Sequence, residues 1–378
     1  MFIKETKYSY NDIAIMPSVL SDVKHRSECN PFLNDGKLPI FASPMSTVVN
    51  KKNFKNFEEN NITPILPRCQ CNTFSERFEY ASQGKWAAFS LSEFEQYFCN
   101  ENLVIGVTPY KVLIDIANGH MSYLYELVNK AKWLHGSNIM IMIGNVANPK
   151  TYENCYEAGA NYIRVSIGSG SGCLSSTQTA IHYGIASLID EMYKEKALLA
   201  INRGIDINAL PRIVADGGIR GYADVIKALA LGADDVMIGG EFAKLIDSAA
   251  PPFLWNKKTD EVYELSDKER ETLQEKNGYF FFTDENNENH ISSAIYKKFY
   301  GMASKEGQID MNGEKTKTSE GTSKTFKCTI SLNKWANNMK DYLKSAMSYL
   351  GLFDVKDLNP SNTKLYLISN NTKNSINK

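Results

Sequence analysis

The stretch Arg212–Gly240, RIVADGGIRGYADVIKALALGADDVMIGG, holds one complete unit of a repeating plan. Its first apolar run stops at Asp216-Gly217-Gly218, a helical pattern follows in GYADVIKALALGA, and a second run, DVMI, stops at Gly239-Gly240. Two near-continuous apolar runs joined through a helix read as neighbouring parallel strands, because a parallel sheet is covered on both faces and its strands need not alternate. Each strand ends in glycine, where the chain has to turn within a few residues.

The same plan extends toward the N terminus. Runs of the same kind occur at 38–43 (LPIFAS), 62–68 (ITPILPR), 86–91 (WAAFSL), 111–117 (KVLIDIA), 139–146 (IMIMIGNV) and 162–167 (YIRVSI). Helical patterns such as MSYLYELVNKAKWLH and PKTYENCYEAGA lie between them. Eight strands alternating with helices over about 250 residues predict a (β/α)8 TIM barrel. A doubly wound sheet shares this periodicity. The barrel is preferred because the runs end in small or polar residues (ASP, PRC, DIANG, GNVAN, IGSGSG, DGG, IGG), at the strand ends where a barrel builds its active site.

Beyond Gly240 the pattern changes. Residues 250–295 are polar, and FFTDENNENH reads as exposed loop. Residues 303–327 have almost no apolar content and read as a mobile flap. A C-terminal helical extension, LNKWANNMKDYLKSAMSYLG, is expected to end at Gly351, and about 368–378 to be a disordered tail. Residues 1–378 thus read as one barrel domain.

Composition narrows the function classes. The chain has 378 residues, 43% of them hydrophobic, and a formal net charge of −1. That charge offers no global attraction for nucleic acid or an anionic membrane. No run of apolar residues is long enough to span a bilayer and no signal peptide is recognisable, so a cytoplasmic protein is expected. The seven cysteines (29, 69, 71, 99, 155, 173, 328) are scattered through a large chain and are expected to be free thiols. Cys69 and Cys71 have no second Cys/His pair to complete a zinc set.

Three glycine-rich turns follow strands six, seven and eight. Converging backbone N–H groups at such turns bind anions, and barrels frequently bind phosphate after strands seven and eight. Gly217, Gly218, Gly239 and Gly240, with the hydroxyl of Ser171, therefore predict a phosphorylated substrate. Asp216 would repel a phosphate, so a sugar hydroxyl is its natural partner, which points toward a nucleotide; glycines that only make tight βα turns are the competing reading. The stretch IGSGSGCLSSTQ (167–178) does not fit a dinucleotide fingerprint, since the third glycine position is Cys173. Cys173 in a loop near a phosphate cradle suits a nucleophile, and a structural cysteine is the alternative; spacing leaves both open.

These residues together resemble the IMP dehydrogenase and GMP reductase family over nearly the whole chain. YSYNDIAIMPS is similar to the family's N-terminal segment, and FASPMSTV to its first strand, with Ser43 and Met45 as substrate contacts. GSGSGC resembles the catalytic loop, the 214–240 stretch the phosphate-binding strands, and FYGMAS (Gly301, Met302, Ala303) the purine-contacting segment. The tandem regulatory (CBS) domain that many dehydrogenases insert after the second helix is absent. Several positions are reductase-like: DIANG at Asp115–Gly119, MIGG in place of a serine form, and TSEGTSKTFK, whose Glu320 would handle ammonia.

The resemblance implies NADPH-dependent reductive deamination of GMP to IMP and ammonia. Cys173 would attack C2 of the purine, with Glu320 and a hydroxyl moving protons and Asp115 in the catalytic set. Asn118, Gly119 and Arg68 would contact the cofactor. It further implies a homotetramer and a potassium ion on carbonyls of Gly168, Gly170 and Cys173. The chain departs from the family pattern in places. The hydroxyl partner is Ser175 by spacing, or Thr177 if the loop carries an insertion. Ser46 replaces the usual aspartate, and Pro67-Arg68 a His-Lys pair. An IMP dehydrogenase, taking IMP to XMP with NAD, and a non-catalytic purine-nucleotide-binding barrel are the alternative readings.

Overall fold

The computed structural model describes residues 4–103, 105, 106, 108–170, 172–256, 258–313 and 317–369. Eight parallel strands form its centre: β1 (Ile40–Ala42), β2 (Thr63–Pro64), β3 (Ala87–Phe89), β4 (Tyr110–Asp115), β5 (Ile139–Val146), β6 (Tyr162–Val165), β7 (Arg212–Asp216) and β8 (Asp235–Ile238). They pair in the order β2-β1-β8-β7-β6-β5-β4-β3. The two ends meet at Leu66 and Ala87: Leu66 N–H donates to the Trp86 carbonyl and Ala88 N–H to the Leu66 carbonyl, both at 2.9 Å. The sheet therefore curls into the expected barrel.

Strand alternation fills it. Along β4, Leu113 joins a central cluster with Phe41, Trp86, Met142, Val214 and Met237, while Val112 and Ile114 belong to the larger cluster beneath the helices. Trp86 and Phe41 meet Tyr162 edge-on at 5.1 and 5.9 Å, closing the centre with aromatic surface. The helices are α1 (Lys51–Glu59), α2 (Phe74–Ser82), α3 (Ser122–His135), α4 (Thr151–Glu157), α5 (Ser175–Thr179), α6 (Ile185–Arg203) and α7 (Tyr222–Ala230). Local chemistry starts them: Asn50 caps α1, and Thr73 with Glu76 forms a capping box on α2.

The region after β8 departs from the expected loop. Strands β9 (Pro252–Asn256), β10 (Glu261–Glu264), β11 (Gln274–Lys276), β12 (Tyr279–Thr283), β13 (Asn289–Ser292), β14 (Tyr296–Tyr300) and β15 (Ser323–Lys327) form two antiparallel sheets. FFTDENNENH is a hairpin, not an open loop. Phe280 and Phe282 point into a small core with Leu265, Ile295 and Cys328, and the polar residues of Asp284–Glu288 only make its turn. The expected flap likewise contains α8 (Lys305–Asn312) and strand β15; within it, 314–316 lie outside the described residues.

The helical extension is present as α9 (Leu332–Leu350), started by Ser331 and ended by Gly351 at φ +71°. Its buried face (Trp335, Met339, Leu343, Met347) recurs at helical spacing, and Trp335 packs on Phe242 at 4.8 Å and Tyr222 at 5.3 Å. Of the expected tail, Ile368 N–H still bonds the Asp12 carbonyl at 2.9 Å, and 370–378 lie outside the described residues. The expectation of free thiols fails at one place. Cys69 and Cys71 form a disulfide, because the tight turn between them brings their Cα atoms to 5.3 Å; the other five cysteines are free. Among the described residues no helix is long and apolar enough to cross a membrane.

Candidate active site

The strand ends and the loops after them enclose a cavity of about 760 Å³, within the roughly 300–1,000 Å³ range of ligand pockets. Its walls bring together residues that lie far apart in the chain. Ser43 and Met45 come from the end of β1, and Arg68 from the end of β2. Asp115 ends β4, and Gly168, Gly170, Cys173 and Ser175 lie in the loop after β6. Asp216, Gly217 and Gly218 follow β7, and Gly239 and Gly240 follow β8. Gly301, Met302, Ala303 and Glu320 close the far side.

The glycine turns fit each other closely. Gly217 and Gly218 adopt φ +88° and +75°, and a Cβ on Gly217 would stand 3.1 Å from the Gly170 nitrogen. The loops after β6 and β7 therefore share one concave backbone surface. Across the cavity, the Cys173 loop is zipped to the closing segment. Leu174 N–H donates to the Glu320 carbonyl at 2.7 Å, Thr322 N–H to Gly172 at 3.0 Å, and Glu320 N–H to Ala303 at 3.1 Å. A Cβ on Gly301 would lie 2.4 Å from the Gly172 carbonyl oxygen, so only glycine allows this approach.

These backbone contacts align three side chains. Cys173, partly exposed, places Sγ 3.4 Å from Ser175 Oγ, and Ser175 Oγ donates to Glu320 Oε2 at 2.7 Å. Thiol, hydroxyl and carboxylate thus form a continuous path along which a proton can move. Thr177 does not join it. Ser175 opens the short helix α5, and about half a turn carries Thr177 to the exposed side, where its hydroxyl donates to the Leu174 carbonyl at 2.9 Å.

A second arrangement spans the floor. Arg164 donates from Nη1 to Asp115 Oδ1 at 2.6 Å and from Nε to Asp216 Oδ2 at 2.8 Å. Asn145 Nδ2 also donates to Asp216 Oδ2, at 2.9 Å. Both contacts fall on one oxygen, and Oδ1 is engaged by neither. Arg68 Nη2 bonds the Asp115 carbonyl at 3.0 Å. Burial pushes the Asp115 carboxyl up, but Arg164 and Arg68 outweigh it and hold it below the usual carboxylate range. For Arg164, burial pulls down and the two aspartates more than restore the charge. Asp115 is therefore a fixed anion in an ion-pair row.

Arg164 and Asn145 were not among the residues expected from sequence. The signal was present in YIRV, since a charge within a buried strand must find partners. Gln308 of α8 is a further wall residue, bonding the Ala303 carbonyl through Nε2 at 3.1 Å. Ser171 lies outside the described residues. Asn118 and Gly119 do not reach the wall. Gly119 N–H is held by the Asn145 carbonyl at 2.8 Å, and Asn118 is exposed, its Oδ1 accepting from His120 N–H at 3.1 Å. The carbonyls expected to hold potassium have internal donors: Gly170 accepts from Cys173 N–H at 3.0 Å and Gly168 from Ser176 Oγ at 3.5 Å.

Comparison with known proteins agrees with this geometry. The IMP dehydrogenase / GMP reductase domain model matches residues 104–280. A GMP reductase of Staphylococcus epidermidis is 28% identical over 358 residues, covering 93% of this chain and 94% of its own. A GMP reductase of Bacillus subtilis is 30% identical over 250 residues, 63% of this chain and 72% of its own. A GMP reductase of Mesoplasma florum is 26% identical over 350 residues, 91% of this chain and 93% of its own. With the strand-end glycines, the cysteine loop and the closing segment on one barrel mouth, the chain belongs to the IMP dehydrogenase / GMP reductase family.

Proposed function

We propose that the chain reduces GMP to IMP and ammonia with NADPH as the electron donor. The observation that carries this reading is the Cys173–Ser175–Glu320 path. Deamination at C2 of a purine needs a nucleophile and a route for protons to the departing amine, and these three groups supply both at one wall.

The glycine turns after β6, β7 and β8 hold the phosphate through backbone N–H groups. Asp216 takes the ribose hydroxyls on Oδ1, the oxygen that Arg164 and Asn145 leave to the cavity. Gly301–Ala303 and Met45 contact the purine. Ser175 accepts the thiol proton and passes its own to Glu320, so that Cys173 attacks C2 as a thiolate. The protonated Glu320 then returns a proton, through the same hydroxyl, to the amino group as the C2–N bond breaks. The cavity is also walled by Ile116, Ala117, Met311 and Asn312, an apolar-to-polar surface that fits a nicotinamide beside the purine, with Arg68 the nearest fixed cation. When bound, that cofactor supplies the hydride that replaces the C2–sulfur bond and frees IMP. Asp115, locked to Arg164, serves by fixing this floor.

Mixing the protein with GMP and NADPH and following the absorbance of the reduced nicotinamide tests the reading. Cys173-dependent loss of absorbance, with one IMP and one ammonia per NADPH, is expected. Silence with GMP but XMP formation from IMP and NAD would transfer the chain to the dehydrogenase reaction. GMP binding without either turnover would leave a nucleotide-binding barrel.

A further inference from the structure

The turn that follows β2 joins the cavity to an exposed sulfur. Cys69 is buried and Cys71 exposed, and the disulfide between them closes the turn together with Asn72 N–H on the Cys69 carbonyl at 3.1 Å. Closing so short a loop removes little entropy from the unfolded chain, so the bridge contributes little to global stability. Its effect is on what the turn holds. Gln70, between the two cysteines, donates its N–H to the Asp310 carbonyl at 2.7 Å and its Nε2 to the Ile309 carbonyl at 3.1 Å.

Ile309 and Asp310 belong to the last turn of α8, and the Ile309 carbonyl also accepts the Gly313 N–H at 2.8 Å. Gln70 is thus an external cap. An eight-residue helix is too short to persist on its own and depends on such contacts. Gln308, Met311 and Asn312 of this helix wall the cavity, and Gln308 Oε1 accepts the Lys317 N–H at 2.5 Å on the way to Glu320. One residue before the bridge, Arg68 holds the Asp115 carbonyl at 3.0 Å. The two sulfurs therefore sit between a cavity cation and the cap of the helix that covers the cavity.

We propose that Cys69–Cys71 is a redox-active site that exchanges with a soluble low-molecular-weight thiol–disulfide couple and sets how firmly α8 covers the cavity. In reduction, an external thiolate attacks Cys71 Sγ, the S–S bond breaks, and Cys69 leaves as a thiolate and takes up a proton. A second external thiolate then attacks the mixed disulfide, releasing Cys71 and one external disulfide. Two electrons pass from the external thiols to the pair, and oxidation is the reverse. Once reduced, the turn no longer fixes Gln70, and the last turn of α8 loses its cap.

The test is hydrogen–deuterium exchange of α8, read by mass spectrometry in reduced and in oxidised glutathione, with maleimide labelling to count thiols. A Cys173→Ala background removes the other accessible thiol, and the readout needs no turnover, so it is independent of the proposed reaction. In oxidised glutathione Cys69 and Cys71 are expected to resist labelling. Reduction should expose both, and the amides around Ile309–Gly313 should then exchange roughly tenfold faster. Cys71→Ser should exchange at the fast rate in both buffers. Unchanged exchange on reduction, or labelling of both thiols in oxidised glutathione, overturns the proposal.

Discussion

Ser175 Oγ stands 2.7 Å from Glu320 Oε2 and 3.4 Å from Cys173 Sγ, while Thr177, two residues on, bonds only a backbone carbonyl of its own helical turn. The two hydroxyls differ little in sequence and greatly in what they can do. Under the proposed reaction Ser175→Ala should lower kcat by about 10²-fold, the usual worth of a positioned proton-transfer group, with KM for GMP little changed. Thr177→Ala should leave both parameters within about twofold of wild type. Steady-state kinetics of the two variants decide it, and an equal loss in both would remove Ser175 from its place in the path.

Arg164 pairs with two half-buried aspartates at once, which makes its removal expensive for the fold and for the site. Arg164→Leu takes the cation from Asp216 and leaves Asp115 only the more distant Arg68, a loss of about 3–5 kcal/mol. Arg164→Lys keeps a charge but cannot reproduce the fork, so it should fold and show a raised KM for GMP as Asp216 loses its orientation. The Asp115 carboxyl is held below its ordinary value, so its contribution is present above the unfolded pKa of about 4 and is lost as pH falls further. Chemical denaturation at neutral pH and again below pH ~4 should therefore show the gap between wild type and Arg164→Leu narrowing in acid. A gap that is constant with pH would mean the pairing contributes no such linkage.

The barrel was legible because its signal is repeated: apolar runs that end in small residues, with helices between them, leave few other solutions. The cavity residues from the strand ends were legible for the same reason, since topology brings strand ends to one rim whatever their separation. Arg164 was not, because a single charge in a four-residue strand names no partner until the strand order is known. Spacing could not choose between Ser175 and Thr177, since a half-turn about α5 decides exposure and the start of that helix has no sequence marker. Between 279 and 292 the many polar residues concealed a strand pair whose inward residues are only Phe280 and Phe282. Asn118 and Gly119 fell next to a strand end, yet Gly119 is held by Asn145 of β5 and Asn118 by His120 of its own loop, a backbone choice invisible in composition.

Gly301 tests how tightly the purine segment must sit on the cysteine loop. An added methyl would come within 2.4 Å of the Gly172 carbonyl oxygen, backbone against backbone, with no side chain able to give way. Gly301→Ala should separate the two segments and disturb Gly301 N–H, which bonds the Thr322 carbonyl at 3.1 Å. Displacements near 1 Å cost about 10²-fold in rate even away from the chemistry. kcat/KM for GMP should fall by about that factor while the thermal midpoint moves by only a few degrees. A variant with unchanged kcat/KM would show that the two segments need not touch.

Lys297, on β14, offers a test of stability rather than of the reaction. It is fully buried, and its ammonium donates to the Ile246 and Ser248 carbonyls, both at 2.7 Å, and to Ser248 Oγ at 3.1 Å. Burial is the main cause that pulls its pKa down to about 8. The unfolded lysine titrates near 10.4, so between about pH 8 and 10 the unfolded chain holds a proton that the folded chain has released. Stability therefore rises with pH across that window, by up to about 3 kcal/mol, and this gain is absent below pH ~8. Buried tyrosines act oppositely at high pH, so the quantity to measure is the difference between wild type and Lys297→Met in urea midpoints from pH ~7 to ~10. That difference should shift steadily in favour of the wild type as pH rises. A flat difference would mean the lysine keeps its proton in the folded protein, and that the three oxygens around it compensate fully for its burial.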